Sequence, residues 1–151
     1  MANQSGIHRL EISNRRLDVL VAHDAASSTC DRLVAEIQQS YRATLATSVQ
    51  DAGELVRGRK FDVAVVCLDL PPAPHAAARF ADFALARALP VVLVTRSLRW
   101  LPTGSAHLRL LAWVSPDAGA AELQLAIQDS IARTSSLLEA PEEGERKSFG
   151  F

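Results

Sequence analysis

Residues Phe61 to Pro71 read Phe-Asp-Val-Ala-Val-Val-Cys-Leu-Asp-Leu-Pro and include one of the longest apolar runs in the chain. From Val63 to Leu68 the run has no polar interruption and is rich in β-branched residues. A strand has this composition when helices cover both of its faces. We therefore predict the central strand of an open α/β sheet, with Cys67 and Asp69 at its carboxyl end. Such sheets bind their ligands in the crevice beyond that end.

The composition indicates an ordinary globular domain. The chain has 151 residues, of which 48% are hydrophobic and 22% are charged. This length can bury a core without help from disulfides or metals. The formal net charge of -1 argues against nucleic acid as a partner, because binding to a phosphate backbone needs a basic excess.

The apolar runs also indicate where in the cell the protein is expected. They are too short to cross a bilayer, and the first residues have no apolar signal core. We therefore predict a cytoplasmic protein without membrane contacts. The two cysteines, Cys30 and Cys67, form no spaced motif, so the sequence predicts neither a disulfide framework nor a zinc site.

Apolar periodicity divides the chain into alternating strands and helices. Strands are predicted over residues 17–22, 43–46, 63–68, 90–95 and 111–114. Helices are predicted over about 30–41, 49–58, 75–88, 105–110 and 117–136. Cap residues for the first two helices are Ser27, Ser28 and Thr29, and then Ser48 with Asp51. Helical spacing predicts these inward residues: Cys30, Leu33, Val34, Ile37, Tyr41, Ala52, Leu55, Val56, Ala76, Phe80, Phe83, Ala84, Ala88, Leu123, Ile127, Ile131 and Leu138.

This alternation predicts a single α/β domain with a three-layer, doubly wound, five-stranded parallel sheet of the flavodoxin-like kind. We assign it to residues 15–138, between a flexible N-terminal arm at 1–14 and a mobile C-terminal tail at 139–151. The functional crevice is expected where the strand order reverses, between the first and third strands. The strand ends around it supply His23, Asp24, Cys67 to Pro71, Thr95 to Ser97, Ser115 and Pro116.

These strand ends make the chain similar to the receiver domain of two-component response regulators, over about residues 17–138. Asp62 and Pro71 match the Asp before that family's third strand and the Pro after it. This register puts Cys67 at the position of the phosphorylated aspartate, with Asp69 two residues later. Thr95 matches the family's switch hydroxyl. The resemblance implies a CheY-like fold and a signalling context.

Other positions depart from the family's pattern. His23–Asp24 stands where the family has two acidic residues that hold Mg²⁺, and Ser115–Pro116 stands where it has Lys-Pro. Ala112 occupies the usual place of the aromatic switch residue, with Trp113 beside it. Phosphoryl transfer to a carboxylate needs a nucleophilic aspartate, hard oxygen ligands for Mg²⁺ and a cation on the phosphoryl oxygens. We therefore interpret the site as a degenerate phosphoacceptor pocket.

The favoured function is that of a stand-alone pseudo-receiver. Such a module is not an enzyme, needs no cofactor and acts by protein-protein interaction without aspartyl phosphorylation. Two alternatives stay open: a genuine receiver that uses Asp69 as phosphoacceptor with Mg²⁺, and a small-ligand sensor that uses the crevice. Asp69 is otherwise explained as a loop cap that accepts backbone N–H groups.

Cys67 has two interpretations of its own. It is a reactive thiol if His23 and Asp24 lie across the crevice and lower its pKa. It is a small hydrophobe if it only ends a buried strand, and this interpretation is favoured because buried cysteines are common. A metal cluster of His23, Asp24, Cys67 and His75 is disfavoured, since their spacing matches no zinc motif.

The segment after Thr95 contains a candidate interaction surface. Tryptophan and arginine are frequent at the energetic centres of interfaces, and the members here are Arg96, Arg99, Trp100, Arg109 and Trp113. The alternative is that Trp100 packs beneath its own loop. We expect the partner to be a signalling protein such as a histidine kinase or regulator, or a second copy of the chain. A homodimer would use Arg96 to Leu110, the fifth strand and the alanine-rich last helix.

Overall fold

The structure is a computed structural model that describes residues 16–69, 74–97 and 111–139. Its strands are β1 Asp18–Ala22, β2 Arg42–Ala46, β3 Val63–Cys67, β4 Val91–Val94 and β5 Ala112–Val114. Its helices are α1 Asp31–Ser40, α2 Val49–Gly58, α3 Pro74–Ala86 and α4 Ala120–Glu139. The predicted arm, the predicted tail beyond Glu139 and the predicted helix at 105–110 lie outside the described residues.

The five strands form one parallel sheet in the order β2-β1-β3-β4-β5. Because β1 lies between β2 and β3, the chain winds outward in both directions from it, and the strand order reverses between β1 and β3. Residue pairs fix the register: Ala22 lies opposite Val66, and Cys67 lies opposite Val94. The predicted doubly wound parallel sheet is confirmed. None of the helices in the described ranges is long and apolar enough to cross a membrane.

β3 is buried along its whole length and separates two apolar clusters. Ala64 and Val66 face one cluster, which contains the apolar sides of α2 and α3. Val63, Val65 and Cys67 face the other, which contains those of α1 and α4. Each buried valine stabilises the fold by about 1.5–3 kcal/mol. The uninterrupted apolar run therefore arises because both faces of this strand are covered.

The beginning of α1 differs from the prediction. Its N-cap is Cys30, which makes no side-chain cap bond. The predicted cap residues are engaged locally instead: the Ser27 hydroxyl donates to Thr29 Oγ1 at 3.0 Å, and Ser27 Oγ accepts the Thr29 N–H at 3.2 Å. The prediction for α2 is confirmed, since Ser48 Oγ accepts the Asp51 N–H at 3.1 Å.

The prediction of which α3 residues face the core was partly wrong. Phe80 and Ala84 are buried as expected, whereas Phe83 and Ala76 are only half-buried and Ala88 follows the helix with a φ of 65°. The remaining buried positions are Ala77, Ala78, Ala81 and Leu85. Most positions of this helix are apolar, so several stripes fit its sequence almost equally well.

Phe83 is covered by charged side chains from two sides. The guanidinium groups of Arg57 and Arg87 lie 5.3 Å and 5.5 Å from its ring centre. Cation-π contacts of this kind let an aromatic ring remain near the surface. The ring of Phe83 is therefore covered without full burial in the core.

α4 begins three residues later than predicted. Asp117 and Ala118 belong to a turn in which both backbone N–H groups are accepted by Ser115, through its Oγ and its carbonyl. Leu123 and Ile127 are buried as predicted, and Ile131 packs against the same cluster. The side chain of Leu138 lies outside the described residues.

Candidate functional site

The carboxyl ends of β1, β3, β4 and β5 lie along one edge of the sheet, and each carries a residue predicted for the site. His23 follows β1, Cys67 ends β3, Thr95 follows β4 and Ser115 follows β5. The parallel register aligns these strand ends, because Ala22 pairs with Val66 and Val94 pairs with both Cys67 and Val114. Of the predicted crevice residues, Leu70 and Pro71 lie outside the described residues.

A cluster of three potential ligands lies at the end of β3. The Sγ atoms of Cys30 and Cys67 and a carboxylate oxygen of Asp69 are all within 4.8 Å of one another. Cys67 is 1% exposed and Cys30 is 3% exposed. Both oxygens of Asp69 are shielded from solvent, and neither accepts a hydrogen bond from the described residues. A buried carboxylate without a partner is unusual, because its desolvation is costly.

Cys30 was missed as a site residue by sequence reasoning, which assigned it only to the core stripe of the first helix. It does belong to the core cluster of α1 and α4. It is also the N-cap of α1, and a helix that follows a parallel strand begins near the carboxyl edge of the sheet. The topology was therefore the signal that could have placed Cys30 beside Cys67.

The Cys67 thiol is held in its neutral form. A hydrogen bond with the Cys30 thiol raises the pKa of Cys67 well above its ordinary value, and burial and the nearby charges of Cys30 and Asp69 raise it further. A thiol is nucleophilic as the thiolate. This environment disfavours the reactive-thiol interpretation and supports the interpretation of Cys67 as a packed residue.

His23 and Asp24 stand at the end of β1 in different environments. The His23 side chain is buried, with 7% of the residue exposed, and neither ring nitrogen has a hydrogen-bond partner among the described residues. Its backbone N–H donates to the Ala46 carbonyl at 2.9 Å and so extends the pairing of β1 with β2. Asp24 is half-buried, and its Oδ1 accepts the Ala26 N–H at 3.0 Å, which stabilises the following turn.

Thr95 is bound to its own loop. Its hydroxyl donates to the Ser97 carbonyl at 2.7 Å and accepts the Ser97 N–H at 3.0 Å. The residue is 6% exposed. Its backbone N–H donates to the Val114 carbonyl at 3.0 Å, which ties the end of β4 to β5. Both of these hydrogen bonds of the Thr95 hydroxyl are thus made within its own loop.

The end of β5 is shaped by a second polar turn. Ser115 Oγ accepts the Asp117 N–H at 3.1 Å, and Pro116 is buried. Arg96 forms an exposed ion pair with Asp117 at 3.2 Å. Such a pair contributes little stability at the surface, but it links the loop after β4 to the turn before α4.

The candidate interaction surface is described only in part. Trp113 lies on β5 with 48% of the residue exposed, and Leu125 on α4 is 66% exposed. Arg96 is exposed and paired as described above. Arg99, Trp100 and Arg109 lie outside the described residues, as do all positions from 98 to 110.

The chain matches known proteins in its structure but not in its sequence. No protein-family model matches the chain, and no curated protein matches it by sequence. Among solved structures, the chain is similar to the signal receiver domain of an HD domain-containing protein from Pseudomonas fluorescens. The two are 18% identical with a TM-score of 0.66, over 83% of this chain and 93% of that one.

Two further receiver structures match at similar strength. The receiver domain of a Pseudomonas aeruginosa sensor histidine kinase, with magnesium coordinated in its active-site cleft, is 20% identical with a TM-score of 0.61, over 78% of this chain and 98% of that one. A CheY-like response regulator receiver protein from Methanospirillum hungatei is 13% identical with a TM-score of 0.60, over 80% of this chain and 98% of that one. The chain therefore has the fold of CheY-like response regulator receiver domains, in a single α/β domain.

Proposed function

We propose that the chain is a pseudo-receiver, a signalling module that acts by protein-protein interaction without aspartyl phosphorylation and is not an enzyme. The observation that carries this proposal is the burial of Cys67 at the end of β3, with a thiol pKa raised above its ordinary value, at the position that the sequence resemblance matches to the phosphoacceptor. A neutral thiol in an apolar layer does not form an acyl phosphate. The receiver fold supports the signalling context.

The available donors do not fit Mg²⁺. This cation prefers oxygen ligands in octahedral geometry, whereas the end of β1 offers the imidazole of His23 and the end of β3 offers a thiol. Asp24 and Asp69 are hard ligands, but one Asp24 oxygen already accepts the Ala26 N–H, and the Asp69 carboxylate lies beside two thiols. We therefore propose that this site does not hold Mg²⁺ in the way that phosphoryl transfer to aspartate requires.

The switch residue supports the same proposal. In a receiver that switches, a new phosphoryl group draws a hydroxyl inward and the neighbouring surface repacks. Here Thr95 makes two hydrogen bonds with Ser97, and the neighbouring Ser115 has no ammonium group for a phosphoryl oxygen. The surface that includes Trp113 would then stay in one arrangement and serve as a constitutive docking site for a signalling protein or a second copy.

The second candidate function is phosphorylation of Asp69. The observation that favours it is the shielded carboxylate of Asp69, which has no hydrogen-bond partner among the described residues. A phosphoacceptor would need such a free oxygen. Against it stands Ser115, whose side chain supplies no ammonium group at the position where the resemblance expects lysine.

Intact mass measurement after incubation with acetyl phosphate and Mg²⁺ separates the two functions. The pseudo-receiver predicts no phosphoryl adduct, while a conventional receiver treated in parallel gains one. Beryllium fluoride with Mg²⁺ provides an independent probe, and it should leave the tryptophan fluorescence of the chain unchanged. A phosphoryl adduct that disappears in Asp69→Asn would overturn the proposal and establish the alternative.

A further inference from the structure

The cluster at the end of β3 has the composition of a metal site. Cys30, Cys67 and Asp69 supply two sulfur atoms and one carboxylate oxygen, all within 4.8 Å of one another. Around a tetrahedral zinc ion with Zn–S bonds of about 2.3 Å, two sulfur ligands lie about 3.8 Å apart. The two sulfur atoms therefore need to approach by about 1 Å or less, and the carboxylate oxygen by about 1.3 Å or less, to bind one ion.

The Asp69 carboxylate supplies an independent reason to expect a cation. Both of its oxygens are shielded from solvent and unpaired among the described residues. A buried carboxylate that stays charged needs a hydrogen-bond donor or a positive ion beside it. The groups nearest to it in this cluster are two thiols, and thiols are only weak hydrogen-bond donors. A divalent metal ion between the sulfur atoms and the carboxylate would supply that positive charge.

The three residues are held by different parts of the fold. Cys67 is the last residue of β3, Asp69 lies in the turn two residues later, and Cys30 stands at the N-cap of α1. The Cys30 thiol makes no cap bond to the helix backbone. Both thiols would release their protons to solvent when a metal ion binds. A bound ion would therefore link the start of α1 to the end of the central strand.

The ligand types determine the class of metal. Thiolates select borderline and soft cations such as Zn²⁺, whereas Mg²⁺ prefers oxygen ligands. We propose that Cys30, Cys67 and Asp69 form a binding site for one thiophilic divalent cation of the Zn²⁺ type, with its fourth position open to water or another small ligand. This inference goes beyond the proposed signalling function and does not depend on it, because it concerns ligation and not phosphorylation.

Cobalt and zinc titrations of the fully reduced, metal-free chain test this site. Co²⁺ should give the near-ultraviolet absorption of a cobalt-thiolate centre, and Zn²⁺ should displace it at one ion per chain, as counted by native mass spectrometry. Millimolar Mg²⁺ should not compete. Zinc should also raise the temperature of unfolding, since binding to the native state alone stabilises it.

Variants identify the ligands. Cys67→Ser and Cys30→Ser should each weaken the cobalt-thiolate band strongly, and Asp69→Asn should weaken zinc binding about tenfold or more by removing one of three protein ligands. Asp31→Asn is the matched control, because it removes an exposed carboxylate next to Cys30 and should leave affinity within about twofold. Circular dichroism of each metal-free variant shows whether it folds.

Three results would overturn the proposal. One is the absence of zinc binding by the folded, reduced wild-type chain. Another is zinc binding that persists unchanged in Cys67→Ser and Asp69→Asn. The third is displacement of zinc by Mg²⁺, which would assign the site to a hard cation. The first two results leave the phosphorylation assay above unaffected, so failure of the metal site and failure of the proposed function are distinguishable.

Discussion

In the proposed pseudo-receiver, replacing Cys67 by aspartate introduces the residue type expected of a phosphoacceptor at this position, and we expect the change to destabilise the chain. Cys67 is 1% exposed and its Sγ lies within 4.8 Å of an Asp69 carboxylate oxygen. Two carboxylates at that separation repel by about 3 kcal/mol at an effective dielectric constant of about 20. Desolvation of the new charge adds to this penalty. The expected loss at pH 7 is about 3–5 kcal/mol, a large part of the stability of a typical domain.

The penalty of Cys67→Asp should depend on pH in a defined direction. Burial and the charge of Asp69 raise the pKa of the introduced carboxyl in the folded state above its unfolded value, so the folded state holds its proton more tightly. The penalty is then present at neutral pH and shrinks as the pH falls toward the unfolded pKa. Urea unfolding followed by circular dichroism at pH 7 and pH 5 measures both quantities.

Cys67→Asn is the matched control for Cys67→Asp, because it has the same shape without the charge. Its cost should be smaller and nearly independent of pH over this range. If Cys67→Asp is as stable as the wild type at pH 7, the argument from burial and charge repulsion is wrong. If the variant also binds Mg²⁺ and accepts a phosphoryl group, the rest of the pocket is competent and the pseudo-receiver proposal must be restricted to this one residue.

Two further predictions concern a helix cap and the docking surface. Ser48→Ala should lower the free energy of unfolding by about 1 kcal/mol, because it removes the acceptor for the Asp51 N–H. Ser28→Ala should lower it by less than about 0.5 kcal/mol, because Ser28 does not cap α1. Equal losses for the two variants in urea unfolding would contradict the assigned caps. Trp113→Ala should weaken self-association or partner capture at least about tenfold while stability changes by less than about 1 kcal/mol, as measured by analytical ultracentrifugation and thermal unfolding. Unchanged association would remove Trp113 from the docking surface.

The sheet was predictable because its signals are local and redundant. The valines of β3 and β4 are apolar in unbroken runs, and a strand has that composition when both faces are covered. Strand boundaries came within one or two residues for the same reason. The buried face of α3 could not be predicted as accurately. Ala77, Ala78 and Ala81 are as apolar as the residues predicted to face inward, so only packing against the sheet decides which of them are buried.

The sequence predicts which edge of the sheet carries the candidate site, but not which side chains contact one another there. Parallel topology alone gathers His23, Cys67 and Thr95 at one end of the sheet, whatever their chemistry. The partner of Cys67 could not be found by motif spacing, because Cys30 is 37 residues earlier and its apolar neighbours on α1 make it an ordinary core residue. A buried thiol satisfies hydrophobic periodicity as well as an alanine would, so periodicity hides its chemistry. The Asp69 carboxylate resolves this ambiguity, since neither of its oxygens has a hydrogen-bond partner among the residues that the structure describes, and the proposed metal ion would supply the partner that a buried carboxylate needs.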